Sequence, residues 1–193
     1  VELGKKGKIF EIIEPVLLKL YKSKFTITVS ESTRGDLLKI GFKQIKIVPN
    51  GLSVTPLSTP PKKQDKFTLI YMGRMKRTKN PEDAIKCFLE LKKKYDEAYL
   101  WLVGDGPLLD ELQRKYKLCK GIVFWGFVSE TKKYELLKSA HILLVPSIRE
   151  GWCQIVIQAN AMGTPAIGFD IPGLRDSIKH GKTGFRVKNY RER

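Results

Sequence analysis

From Phe67 onward the chain alternates two kinds of segment, and this alternation constrains its fold more than any other feature. Short apolar runs at Phe67–Met72, Ala98–Val103, Ile122–Trp125, Ile142–Val145, Pro165–Phe169 and Gly184–Val187 show no regular interleaving of polar residues. Between them, Pro81–Tyr95, Leu108–Lys117, Glu130–Lys138 and Cys153–Met162 carry apolar residues at helical spacing. Strands without polar alternation are buried on both faces, and helical crossovers of ~10–15 residues are what parallel strands need. The sequence therefore predicts a doubly wound parallel α/β sheet. In such sheets ligands bind at the carboxyl ends of the strands, in the loops that lead into helices.

The region ahead of this alternation reads differently. Helical spacing covers Ile9–Tyr21 and Ser30–Ile40, with Ser30 and Ser32 as candidate caps, while Phe25–Val29 and Ile45–Val48 read as short strands. Pro49-Asn50-Gly51 is a turn, and Pro56, Pro60 and Pro61 follow in a stretch with little apolar bulk beyond Leu57. That composition predicts a linker over 51–65, separating residues 1–50 from a main domain over 66–193.

Charge narrows the partners. The 193 residues hold 36 Lys+Arg against 20 Asp+Glu, a net charge of +16. The surplus is spread almost evenly along the chain, whereas nucleic-acid modules gather theirs on one face or arm. No nucleic acid is expected, and the general excess fits a lysine-rich surface or an anionic membrane face. No apolar run approaches the ~20 residues needed to cross a bilayer; Ile142–Val145 is closed by Pro146. Cys87, Cys119 and Cys153 form no CxxC, which suits a reducing, cytoplasmic compartment. The chain opens on Val1 with no visible signal peptide, so a processed chain or part of a longer one is expected.

Three loops invite ligand chemistry. After the first strand of the main domain, Gly73-Arg74-Met75-Lys76-Arg77-Thr78-Lys79 gathers four cations ahead of a helix, an arrangement that suits a diphosphate. After the second, Gly104-Asp105-Gly106-Pro107 lacks the third glycine of a dinucleotide fingerprint, because position 109 is Leu109. Gly181-Lys182-Thr183 is likewise no P-loop, since Asp176 stands where its first glycine is required. The richest loop is Pro146-Ser147-Ile148-Arg149-Glu150-Gly151-Trp152-Cys153, leading into a helix that bears Gln158. It combines a carboxylate, a glycine and a helix N-terminus, the parts of a phosphosugar site.

Taken in order, these pieces resemble the carboxy-terminal half of a GT-B glycosyltransferase, in the large group 1 of retaining enzymes that includes mannosyl- and glucosyltransferases. The resemblance runs from about Val29 to Val187 and includes Val48-Pro-Asn-Gly51, Gly73-Arg74 with Lys79, and Val103-Gly-Asp-Gly-Pro107. It continues through Phe124-Trp-Gly-Phe-Val128, Pro146-Ser147, Glu150-Gly151, Ala161-Met-Gly-Thr-Pro165 and Gly181-Lys-Thr-Gly-Phe185. It implies that Arg74 and Lys79 hold the donor diphosphate and that Glu150 meets hydroxyls of the transferred sugar. By the same resemblance, Gly73 and Gly151 allow close backbone approach, the N–H groups of Trp152 and Cys153 meet sugar or phosphate, and Trp125 to Val128 lie against the base. No metal cofactor is expected, the basic pair and helix dipole taking that part.

The chain departs from the family pattern in two ways. Gln158 stands where the family has a second glutamate that clasps the ribose, so weaker or altered donor binding is expected. The amino-terminal acceptor domain is represented only by a strand and helix like those of Val1–Ile40, and the family continues beyond Arg193. On this reading the polypeptide binds a nucleotide sugar but hardly transfers it unaided, and an acceptor glycan or lipid-linked glycan meets the missing domain. His141 and His180 are read as structural or solvent-exposed. The alternatives are a basic binding module without catalysis, either a nucleic-acid binder or an inactive transferase relic, and a sugar-nucleotide epimerase; the Glu150-Gly151 loop argues against the epimerase.

Overall fold

The structure, a computed structural model, describes residues 13, 14 and 16–188, so residues 9–12 and 15 of the helix expected over Ile9–Tyr21 lie outside the described residues. The chain divides into two compact units, Val1–Asn50 and Gly51–Arg193.

In the first unit, β1 (Thr26–Thr28) pairs in parallel with β2 (Ile45–Ile47) across helix α1 (Glu31–Ile40). Ser30 caps α1 by accepting the Thr33 N–H at 3.2 Å, as a serine at this position should, and Gly41 ends it in the left-handed conformation.

The second unit is a six-stranded parallel sheet formed by β3 (Thr68–Met72), β4 (Tyr99–Val103), β5 (Ile122–Gly126), β6 (Ile142–Val145), β7 (Ala166–Phe169) and β8 (Gly184–Val187). Their order is β5-β4-β3-β6-β7-β8, the 3-2-1-4-5-6 order of dinucleotide-binding domains. The crossovers are α2 (Pro81–Lys92), α3 (Leu109–Lys115), α4 (Glu130–Ser139), α5 (Gln154–Ala161) and α6 (Leu174–Ser177), this last a single turn that the sequence reading does not anticipate.

Successive strand residues enter opposite layers of core. Ile70, Trp101, Val103, Leu143 and Val145 join one buried cluster with residues of α4, α5 and α6. Their neighbours Leu69, Tyr71, Leu100, Leu102 and Leu144 join another with Ala84, Ile85 and Phe88 of α2. Because both faces are covered, alternation would have cost burial on one of them. Pro81 begins α2, where its missing N–H leaves nothing unpaired, and Asn80 turns into it with φ of 53°.

The proline-rich stretch after Gly51 is a strap laid along the second unit. Leu57 N–H donates to the Ala161 carbonyl and Gln64 N–H to that of Ser139. Lys63 Nζ donates to Lys138 O, Gly163 O and Thr164 Oγ1 at 3.2, 2.9 and 2.7 Å. It places a cation beside the ends of α4 and α5, where carbonyls are unpaired and the helix dipoles are negative.

Candidate functional site

Strand order reverses between β3 and β6, and their carboxyl ends open the crevice where this class of sheet binds ligands. Two neighbouring clefts lie there, and Met72 and Gly73 line both. The first, of about 250 Å³, is also lined by Lys79, Ser147, Glu150, Trp152, Cys153 and Gln154. The second, of about 550 Å³, takes Arg74, the turn Gly104-Asp105-Gly106, Phe127, Val128 and Lys133.

The loop after β3 is held by its own buried anchor. Met75 is fully buried, its N–H donates to Asp105 O, and its carbonyl accepts from Leu108 N–H. The Tyr71 hydroxyl donates to Arg74 O at 3.0 Å, which fixes the backbone beside the arginine. Burial, with Glu150 and Cys153 nearby, raises the Tyr71 pKa, so this hydroxyl keeps its proton. Arg77–Lys79 form a turn of 3-10 helix between this loop and α2. Of the four cations in the loop, Arg74 and Lys79 line the clefts; Lys76 and Arg77 line neither.

Two contacts join this loop to the one after β6. Ile148 N–H donates to Thr78 O, and Lys79 Nζ donates to Glu150 Oε1 at 2.5 Å. The Glu150 side chain is only 7% exposed, so without this partner it would be a buried charge facing apolar walls. Cys153 Sγ lies 3.8 Å from Glu150 Oε1, and burial together with that carboxylate pushes the thiol pKa up to about 12. The thiol stays protonated near neutrality, which leaves Cys153 as a wall of the cleft and not a nucleophile.

Glycines let the loops approach this closely. Gly104 has φ of 126°, and a Cβ there would stand 2.0 Å from the Gly73 carbonyl oxygen. Gly173 has φ of 83°, and its Cβ would meet the Glu150 carbonyl at 2.3 Å. The sequence reading passes over Gly173 as a support for the Glu150 loop, although Pro172-Gly173 is a recognisable turn signal.

Among the expected site residues, Gly73, Arg74, Lys79, Val128, Glu150, Trp152 and Cys153 line the two clefts. Trp125, Gly151 and Gln158 do not. Trp125 lies on β5 with its ring edge against Trp101, centroids 5.9 Å apart, and Phe127, which is 85% exposed, lines the second cleft instead. Gln158 sits one turn further along α5 than Gln154 and is buried. Gly151 bridges Glu150 and Trp152 on the exposed side of the loop. His141 Nδ1 accepts the Thr68 N–H at 3.0 Å and its ring packs on Phe67, while His180 Nδ1 accepts from Arg186 N–H; neither lines the clefts.

Residues 58–193, more than half of the chain, match the family model for glycosyl transferases group 1, and the chain belongs to that family. Its similarity to individual members is more distant. The glycogen synthase of Mycobacterium tuberculosis is 27% identical over 166 residues, covering 82% of this chain and 40% of that protein. An uncharacterized glycosyltransferase of Methanocaldococcus jannaschii is 28% identical over 192 residues, with 88% and 48% covered. The chain thus spans less than half the length of these curated relatives. S. aureus TarM, crystallised with fondaparinux, alpha-GlcNAc-glycerol and UDP, matches with a TM-score of 0.75 at 23% identity, over 86% of this chain and 34% of that one. Anabaena HepE in complex with UDP and glucose gives 0.73 at 17% identity, over 91% and 53%. The sheet and its flanking helices are the Rossmann-like half of a GT-B fold.

Proposed function

We propose that the paired clefts bind a nucleoside-diphosphate sugar, with UDP or GDP as the carrier, for transfer of its hexose to an acceptor hydroxyl with retention of anomeric configuration. One observation carries this reading: a compartment holding the Lys79–Glu150 pair adjoins a larger one holding Arg74, and Gly73 lines both. The diphosphate belongs at the junction, the sugar beside Glu150, and the nucleoside along Gly104 to Gly106 and Phe127-Val128. UDP in the crystal structures of TarM and HepE supports the choice of carrier.

In this scheme the bond between the anomeric carbon and the diphosphate oxygen breaks, and a bond from that carbon to the acceptor oxygen forms on the same face. The departing phosphate oxygen takes the acceptor's proton. Arg74 and Lys79 stabilise the charge that gathers on the diphosphate, each charge-assisted contact being worth about 1.5–3 kcal/mol. On arrival of the donor, Lys79 turns part of its bonding from Glu150 to phosphate, which frees Glu150 to accept from sugar hydroxyls. The scheme calls on these cations and the start of α5 and requires no metal. The acceptor is a glycan or lipid-linked glycan, and the basic surface favours a peripheral place on the cytoplasmic face of an anionic membrane.

Calorimetric titration tests the donor reading. UDP or GDP, or one of their sugars, is expected to bind in preference to a plain oligonucleotide, and Arg74→Ala is expected to weaken binding at least tenfold, the effect of losing about 1.4 kcal/mol. Equal binding of an oligonucleotide, or nucleotide affinity unchanged in Arg74→Ala, would overturn the assignment.

A further inference from the structure

The smaller cleft contains polar groups that its ion pair leaves unused. Lys79 and Glu150 bond each other and the Tyr71 hydroxyl is taken by Arg74 O, so these groups are satisfied within the protein. Two others are not. Trp152 Nε1 and Gln154 Oε1 are buried and have no hydrogen-bond partner among the described residues. Both residues line this cleft. The other buried side-chain atoms in the same position, Thr28 Oγ1 and Arg186 Nε, belong to residues that line neither cleft.

The orientation of Gln154 is set by its neighbour. Its Nε2 donates to Gly51 O at 2.8 Å, and because only the nitrogen can donate to a carbonyl, the oxygen is the end left over. Trp152 can offer nothing but a donor, and Gln154 Oε1 nothing but an acceptor. A buried polar atom without a partner costs its desolvation, so a protein that retains two of them at one cleft gains most when a ligand satisfies both.

We propose that the Trp152 indole N–H and the Gln154 side-chain carbonyl form a donor and acceptor pair that selects a polar substituent, hydroxyl or acetamido, on the transferred hexose. This rests on the reading of the clefts as a donor site and adds to it two side chains that discriminate among sugars. A hydroxyl or an acetamido group can both accept from the indole and donate to the carbonyl. A deoxy position can do neither, and would leave both atoms buried and unpaired.

The experiment is titration of the full chain with UDP, UDP-glucose, UDP-N-acetylglucosamine, GDP and GDP-mannose, repeated with Trp152→Phe and Gln154→Met. The unmodified chain is expected to bind at least one sugar nucleotide more tightly than the corresponding free diphosphate. Each variant is expected to lose about tenfold in affinity for that sugar nucleotide while its affinity for the free diphosphate is unchanged. Trp152→Phe removes no bond present in the free protein, so its melting temperature is expected to stay level, separating loss of recognition from loss of fold. If both variants keep the original ratio of sugar-nucleotide to diphosphate affinity, or lose both ligands equally, the pair does not read the sugar. If the unmodified chain binds no nucleotide at all, the donor reading itself fails and this proposal with it.

Discussion

Gly104 and His141 show how single residues constrain the second unit from opposite ends of its strands. At Gly104 the backbone combines a positive φ with a Cβ position 2.0 Å from Gly73 O, so Gly104→Ala must move one loop or the other. A destabilisation of about 3 kcal/mol is expected, measurable by urea unfolding, together with weaker nucleotide binding because Gly73 lines both clefts. His141 behaves as a structural group. Burial, then the nearby Lys63 charge, lowers its pKa below the usual 6.5. With the folded pKa below the unfolded one, its contribution to stability is present above about pH 6.5 and is lost as pH falls through the folded value. His141→Asn, which keeps an acceptor for Thr68 N–H, is expected to flatten the fall of melting temperature between about pH 7 and pH 5.

At the scale of elements, the strap and α2 are held by different physics. Lys63 satisfies carbonyls at the ends of two helices, and Lys63→Ala is expected to cost about 1–2 kcal/mol and to loosen residues 51–65 to proteolysis. Phe88 is fully buried on α2, so Phe88→Ala is expected to cost about 3–5 kcal/mol by chemical unfolding. Apolar runs reveal β3, β4, β6 and β7 because each must be buried on both faces, and Pro81 marks the start of α2. The proline-rich stretch contains no such pattern, and its attachment depends on carbonyls far away in the chain at Lys138, Ala161 and Gly163. Composition therefore reads as a linker what tertiary contacts make a strap.

For the molecule as a whole, the net charge of +16 is far more than the clefts use, since among the described residues only the cations Arg74, Lys79 and Lys133 line them. Among the described residues no helix is long and apolar enough to cross a membrane. If the remaining excess serves an anionic surface, sedimentation with vesicles containing anionic lipid should exceed that with neutral vesicles and should fall steeply as salt rises from 0.05 to 0.5 M, where screening shortens to about 4 Å. Binding that ignores salt would rule out this use of the charge.

The parallel α/β class, the resemblance to group 1 transferases and the loops that line the clefts are legible along the chain, because burial on two faces and helix entry leave local marks. The sequence reading names Gly73, Arg74, Lys79, Trp125, Val128, Glu150, Gly151, Trp152, Cys153 and Gln158 as residues of one site, and seven of them line the clefts. What emerges only on folding is that Lys79 and Glu150 form a pair, that Trp125 packs on Trp101 while Phe127 lines the larger cleft, and that Gln154 lines the smaller one where Gln158 does not. The first depends on the pairing of β3 with β6, which brings two residues some seventy positions apart to within hydrogen-bond distance, and the second on the pairing of β4 with β5. Pairings at that separation are set by packing of the whole sheet, and no local pattern records them.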